Sequence, residues 1–288
     1  MPENLKEIRS RIQFYSSAQQ MTKAMKLVSA VKFKKATEAS AKLRPYETQI
    51  SKIFDTLSSQ VDIDFQMPLT EMRPVKRILI VVVSSERGLC GGHNAQIFKL
   101  AEKVIRQNCT VSAQSDEVYI LPLGKKAAIF FKNKQYRVNE ITTMIPDVPK
   151  FDDIRDLSMS IQQDFKSGKY DLIEIISSKF KNAIKYDYTV STYLPLLLQR
   201  KDQDTSDRYI YDSPAEEMLS KLIPSYLDCL FYNIVLQSKT SEHAARMMAM
   251  DKATENAKEL LSSLKLSYNR ARQAAITKEL TEIINGMA

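Results

Sequence analysis

The segment Ser84-Ser85-Glu86-Arg87-Gly88-Leu89-Cys90-Gly91-Gly92-His93-Asn94 is where chemistry would first be sought in this sequence. Glycines between a strand and a helix can bare backbone N–H groups to a phosphate. The string G-L-C-G-G-H is neither G-x-G-x-x-G nor G-x-x-x-x-G-K-[ST], and no lysine follows Gly92 to meet phosphates. A tight strand-to-helix turn that needs positive φ is therefore favoured over a cofactor loop. A protein-binding loop is a third reading, with Arg87 beside exposed backbone. Cys90 with His93 nearby suggests a thiol nucleophile, but a buried, inert cysteine is the favoured reading.

Other reactive types are sparse. Cys90, Cys109 and Cys229 form an odd, widely spaced set, which argues against a disulfide framework and for a reducing compartment. His93 and His243 are the only histidines and show no zinc spacing, so no metal site is expected. Asp202, Asp204 and Asp207 lie in a polar loop that lacks the glycine and glutamate of a calcium loop. Met247, Met248 and Met250 read as helix-seam packing rather than a promiscuous binding surface. The run Lys32, Lys34, Lys35 reads as a solvated face.

Charge is unevenly placed. The net charge is +8, and residues 1–44 carry ten Lys or Arg against three Glu, a surplus of seven. An anionic partner for this segment is implied, whether protein, nucleic acid or lipid surface. No apolar signal core or Arg- and Ser-rich leader is visible from Met1. Hydrophobic residues make up 44% and charged residues 26%, ordinary for a globular protein.

The elements that would position these groups fall into three parts. From Ser225 to Asn285 there are 61 residues without Gly or Pro; as one helix they would span about 90 Å. Ser213, Pro214 and Glu216 form a capping box at the start, and Pro224 would kink the first turns. Closely spaced charges from Lys239 to Glu259 exclude a membrane span, which leaves a coiled coil that needs a partner. The partner is Glu3–Arg44, 42 residues again free of Gly and Pro, with a bend expected at Pro45. Its expected seam runs Leu5, Ile8, Ile12, Tyr15, Ala18, Met21, Met25 and Val28. The facing seam runs Ala245, Ala249, Ala253, Asn256, Leu260, Leu264, Ser267, Ala271 and Ala274.

All six glycines but Gly286 lie between positions 88 and 168, so turn chemistry is confined to the middle. There, strands over Lys76–Ser84, Glu117–Leu123, Tyr170–Ile176 and Tyr188–Leu198, with a possible one at Arg208–Tyr211, alternate with helices over Ala95–Gln107, Lys125–Lys132 and Asp152–Lys166. A small, mainly parallel α/β sheet follows. The expected organisation is a long antiparallel coiled coil of the N- and C-terminal helices (residues 1–60 and 212–288) plus a Rossmann-like α/β domain over 75–210. No complete active site is visible; a stalk on a compact body suits transmitting force or spanning distance.

Four strings on this frame, MTKAMKLVSAVK (21–32), SSERGLCGGHN (84–94), AARMMAMDKATEN (244–256) and SYNRARQAAITKELTEIING (267–286), resemble the gamma subunits of F-type ATP synthases over the whole chain. The resemblance implies a non-catalytic rotor shaft without cofactor, present once per complex. Its terminal helices would stand inside a hexamer of alpha and beta subunits, and its foot would sit on the c-ring and grip the epsilon subunit, coupling proton flow to ATP synthesis. It maps beta-subunit contacts onto Lys23, Met25, Arg246, Arg272, Gln273 and Thr277, and places Arg87, Gly88, Cys90, Gly91 and Gly92 in the foot near the ring.

His93 stands where that family usually has leucine, Lys26 where many members have another polar residue or methionine, and residues 184–210 match weakly. The inserted cysteine pair of chloroplast members is not found. The start at Met1 favours a bacterial enzyme, peripheral on the cytoplasmic side of the inner membrane. A basic coiled-coil protein that binds nucleic acid is the alternative, and an α/β enzyme with coiled-coil arms a third reading.

Overall fold

The structure is a computed structural model that describes residues 5–61, 67–111, 117–139, 144–182, 186–198 and 213–286. The strand candidate Arg208–Tyr211, the Asp202/Asp204/Asp207 loop and the side chain of Cys109 lie outside the described residues.

Among the described residues ten elements follow one another: α1 (Leu5–Gln60), β1 (Arg77–Val83), α2 (His93–Val111), β2 (Glu117–Leu123), α3 (Lys125–Asn133), β3 (Arg137–Val138), α4 (Phe151–Lys166), β4 (Leu172–Phe180), β5 (Tyr186–Leu194) and α5 (Ala215–Gly286). The sheet order is β3-β2-β1-β4-β5. All its pairs are parallel except β4–β5.

The continuous apolar run of β1 explains its central place. Ile78, Ile80 and Val82 face one side and pack with Ile97, Ala101 and Ile105 of α2 and Ala127 and Phe131 of α3. Leu79, Val81 and Val83 face the other side and join Ile154, Leu157, Ile161 and Phe165 of α4. A strand buried on both faces has no polar positions to spare, hence RILIVVV.

The chain divides into two units, one of Met1–Ala30 with Arg246–Ala288, the other of Val31–Ala245. In the larger unit, Leu219, Ile223, Leu227, Phe231 and Val235 of α5 are fully buried, four residues apart. They belong to the same core as Phe54 and Leu57 of α1. Each such burial is worth about 1.5–3 kcal/mol. The rings of Phe54 and Tyr226 stack with centroids 4.3 Å apart.

Pro45, where a bend is expected, lies inside α1, which is continuous from Leu5 to Gln60. Proline removes one backbone bond, and the buried Ile50, Phe54 and Leu57 beyond it hold the helix in place. Pro224 is likewise inside α5. The capping box is off by one residue: the Met218 N–H donates to the Pro214 carbonyl, which puts Pro214 rather than Ser213 at the cap.

In the smaller unit α1 and α5 pair antiparallel, as Thr22 with Thr254 and Lys26 with Asp251 show. The seam is the one expected from Leu5 to Ala18 and departs from it beyond. Ile8 and Ser29 are buried and Leu5, Ile12, Tyr15, Ala18, Gln19, Thr22 and Lys26 are half-buried, whereas Met21, Met25 and Val28 are exposed. Strict alternation of four and three from Ile8 gives the observed set; following apolar identity from Tyr15 to Ala18 slips it out of phase. On α5 the expected Ala245, Ala249, Ala253, Leu264, Ser267 and Ala271 are buried or half-buried, with Met250, Ala257 and Leu261 buried beside them, whereas Asn256, Leu260 and Ala274 are exposed.

Candidate functional site

The loop after β1 is a braced turn. The Ser85 hydroxyl donates to the Arg87 carbonyl (2.7 Å), and the Asn94 amide donates to Ser85 Oγ (2.7 Å) and Cys90 Sγ (3.4 Å). Leu89 and Gly91 take positive φ, 63° and 60°. Glu86 accepts from the backbone N–H of Lys125 (3.3 Å) and of Ile145 (3.1 Å), and Ser84 Oγ accepts from that of Ala127 (3.0 Å). The first turn of α3 is therefore capped by a carboxylate, which opposes a bound phosphate there.

Gly124, at φ 110°, marks the tightest approach: a Cβ would lie 2.5 Å from the Ser84 carbonyl oxygen. Cys90 is buried, while Arg87, Gly91 and Gly92 are exposed and Gly88 is half-buried. His93 is a buried ring packed edge-on against Tyr186 at 5.7 Å, a packing position for which leucine would also serve. Cys229 is buried too, and burial pushes its thiol up to about 11, far from the range of a reactive cysteine.

The residues expected to meet a beta subunit do not form one site. Lys23 and Met25 are exposed on α1, but positions two apart do not share a helix face. Arg246 is half-buried on α5 and stands 26 positions, about 39 Å of helix, from Arg272. Arg272, Gln273 and Thr277 are exposed and close together, with the Thr277 hydroxyl bonded to the Gln273 carbonyl at 2.9 Å. Around them α5 shows large apolar side chains to solvent: Leu266, Ile276, Leu280, Ile283 and Ile284.

Part of the basic surplus is matched inside the chain. Lys26 pairs with Asp251 at 2.5 Å and Lys32 with Asp147 at 2.6 Å, while Lys34 reaches Glu38 at 3.9 Å. Burial works to raise the Asp147 carboxyl. The hydrogen bond and charge of Lys32, with His243 and Lys239, outweigh it and hold the carboxyl below its usual range.

Two buried polar features are not legible in the sequence. Ser238, Lys239, Thr240, Ser241, Glu242 and His243 are consecutive and all buried, with Lys239 and Glu242 paired at 3.1 Å. Asp228 Oδ1 accepts from Ser158 (2.5 Å) and Gln162 (2.8 Å), and Ser158 also meets the Tyr193 hydroxyl (2.8 Å). Six polar residues in a row look solvated in a sequence, and only the helix's cover on every side shows otherwise. Among the described residues there is no group of three or more potential metal ligands, and no helix is long and apolar enough to cross a membrane.

A family model described as ATP synthase matches residues 4–288. The chain is 41% identical over 288 residues to the ATP synthase gamma chain of Cytophaga hutchinsonii, covering 98% of this chain and 97% of that one. It is 36% identical over 293 residues to the ATP synthase gamma chain of Chloroherpeton thalassium, covering 98% and 96%. Among solved structures it resembles a chain of the Euglena gracilis mitochondrial ATP synthase assembly of OSCP, F1 and c-ring, with TM-score 0.65, 19% identity, and 98% and 93% of the two chains covered. It also resembles one from the Tetrahymena thermophila mitochondrial central stalk and c-ring, with TM-score 0.55, 23% identity, and 81% and 99% covered.

Proposed function

Because the chain belongs to the ATP synthase gamma-chain family, we propose that it is the turning central shaft of a proton-translocating F-type ATP synthase and carries no catalytic site of its own. The paired segments of α1 and α5 stand inside the hexamer of alpha and beta subunits. The sheet-bearing foot meets the c-ring and the epsilon subunit, with Arg87, Gly88, Cys90, Gly91 and Gly92 on that side. One copy serves each complex, held peripherally on the cytoplasmic face of a bacterial inner membrane.

The observation that carries this reading is the outer surface of the helix pair. Leu266 of α5 and Phe14, Met21, Leu27 and Val28 of α1 are exposed although the seam between the helices is already filled, and Ile276, Leu280, Ile283 and Ile284 are exposed on the turns of α5 beyond the one that faces Leu5. Scattered apolar side chains on a surface are ordinary, but this density along both helices asks for a sleeve. Arg272, Gln273 and Thr277 stand among them with polar groups outward. They are suited to short-lived charge-assisted bonds with acidic loops of the beta subunits, strong enough to couple motion and released at each step. Lys23, Met25 and Arg246 meet beta subunits at separate points along the shaft.

Two measurements test the reading. The chain solubilised from membranes should copurify with alpha, beta, epsilon and ring subunits; recovery without a hexamer would refute it. Arg272→Ala with Gln273→Ala should lower ATP synthesis by about tenfold for each charge-assisted hydrogen bond removed while leaving assembly intact. Unchanged synthesis would exclude these two side chains from the coupling surface.

A further inference from the structure

Just inside the larger unit, which begins at Val31 and closes at Ala245, two parts of the sheet-bearing body each take hold of both long helices. The first is Asp147, in the segment between β3 and α4. Its Oδ2 lies 2.6 Å from Lys32 Nζ of α1, and its carbonyl oxygen and Oδ1 lie 3.2 and 3.8 Å from His243 Nε2 of α5. The second is the end of β4. The Phe180 ring meets Phe33 of α1 with centroids 5.5 Å apart. Ser178 Oγ lies 3.2 Å from Ser238 Oγ of α5, and the Ser178 carbonyl accepts from the Ser241 hydroxyl at 3.4 Å.

We propose that these two grips form a torsion brace, with Asp147 as a force-bearing residue, through which turning force passes between the two helices and the body. The brace presupposes the shaft role and adds to it the residues that carry the load.

Helix geometry sets the grips on different faces. Successive residues of an α-helix are about 100° apart around its axis, so Lys32 and Phe33 meet the body on different sides of α1. On α5, His243 stands about 140° from Ser238 and about 200° from Ser241. A rod held on one face can roll against its support. One held on two faces cannot turn without breaking a contact.

The chemistry of the grips suits that task. The apolar side chains of α5 that join the core end at Val235, and apolar burial is non-directional. Hydrogen bonds and ion pairs weaken steeply with angle and so resist rotation. Ser238 to His243 are all buried, a costly arrangement unless the polar groups find partners. Here Ser238, Ser241 and His243 find them on the body, and Lys239 and Glu242 neutralise each other at 3.1 Å. The charged and titratable groups facing Asp147, which are Lys32, His243 and Lys239, hold its carboxyl below the usual range, so it keeps its charge for Lys32 at neutral pH. Releasing the brace leaves the eight residues between Val235 and His243, about 12 Å of helix, free to twist.

The test uses the assembled complex, with the hexamer fixed to a surface and a bead on Met159→Cys of α4, which is exposed. At limiting ATP the bead halts between steps, and the thermal spread of its angle during a halt reads the stiffness of everything between hexamer and bead. Asp147→Ala and Lys32→Met should each widen that spread while leaving ATP hydrolysis in solution unchanged. The double variant should widen it no further, because both substitutions remove the same bond. Asp147 is 46% exposed, so its replacement leaves the fold intact. Lys134→Met, which breaks an ion pair between α2 and the residue after α3, should leave the spread as it is.

A complex whose bead rotates but whose spread is indifferent to Asp147→Ala and Lys32→Met would overturn the brace and leave the shaft reading standing. Equal widening by Lys134→Met would overturn it too, since loosening would then follow the loss of any surface ion pair. An unsubstituted complex that hydrolyses ATP with the bead stationary would remove the shaft reading and the brace with it.

Discussion

Lys26 Nζ lies 2.5 Å from Asp251 Oδ1, although the two residues are 225 positions apart in the chain. Together with Thr254, which donates to Thr22 at 2.8 Å, the pair fixes which turn of α1 faces which turn of α5. A polar seam position is a register device: it adds little stability but penalises slipped pairings. The side chains are 38% and 50% exposed, so the coupling between Lys26→Ala and Asp251→Ala in a double-mutant cycle should be about 0.2–1 kcal/mol and fade with salt. A coupling several times larger, or one insensitive to salt, would mean that the pair is buried.

Adjacent leucines should answer oppositely. Leu261 is 8% exposed and Leu260 45%. Leu261→Ala should cost about 2–4 kcal/mol in denaturant unfolding, and Leu260→Ala no more than about 0.5 kcal/mol. Equal costs would return the seam to the register expected from apolar identity.

The difference in register shows what a sequence can and cannot carry. Continuous apolar runs such as Ile78–Val83 and Val118–Leu123 are legible because burial on both faces calls for apolar side chains at successive positions. The pairing of the first and last helices is legible because more than sixty residues without Gly or Pro leave few alternatives. The phase of the seam is not, because Gln19, Thr22, Lys26 and Ser29 fill it with polar side chains while Met21, Met25 and Val28 point outward. A surface shaped for an outside partner reverses the usual hydrophobic cue. The two-residue strand Arg137–Val138 leaves no periodicity to detect, and the Ser158–Asp228–Tyr193 node joins residues from three distant elements. The foot loop is legible as a turn from its glycines, though Gly91 alone among its three takes positive φ.

Asp228 offers a pH-dependent test. Burial raises its carboxyl above the ordinary value, and the bonds from Ser158 and Gln162 and the charge of Arg155 offset only part of this. The folded state therefore holds a proton here more tightly than the unfolded chain. The penalty for ionised Asp228 is present in full above the raised folded value and is relieved as pH falls through it. Asp228→Asn keeps an oxygen for both donors and removes that penalty, so its stability at neutral pH should equal or exceed the unsubstituted chain's, with the difference shrinking toward acid. Asp228→Ala should instead cost about 1–3 kcal/mol, because the Ser158 and Gln162 donors lose their acceptor. Asparagine as costly as alanine would show that the charge itself is needed.

The central claim is that this chain turns while the catalytic hexamer stands still. Met159, exposed on α4, gives an attachment point as Met159→Cys. With the hexamer fixed to a surface and a visible probe on that position, ATP should drive sustained rotation of the probe in one direction, stopping when ATP is withdrawn. ATP hydrolysed at full rate by the same molecules with the probe stationary would contradict the account.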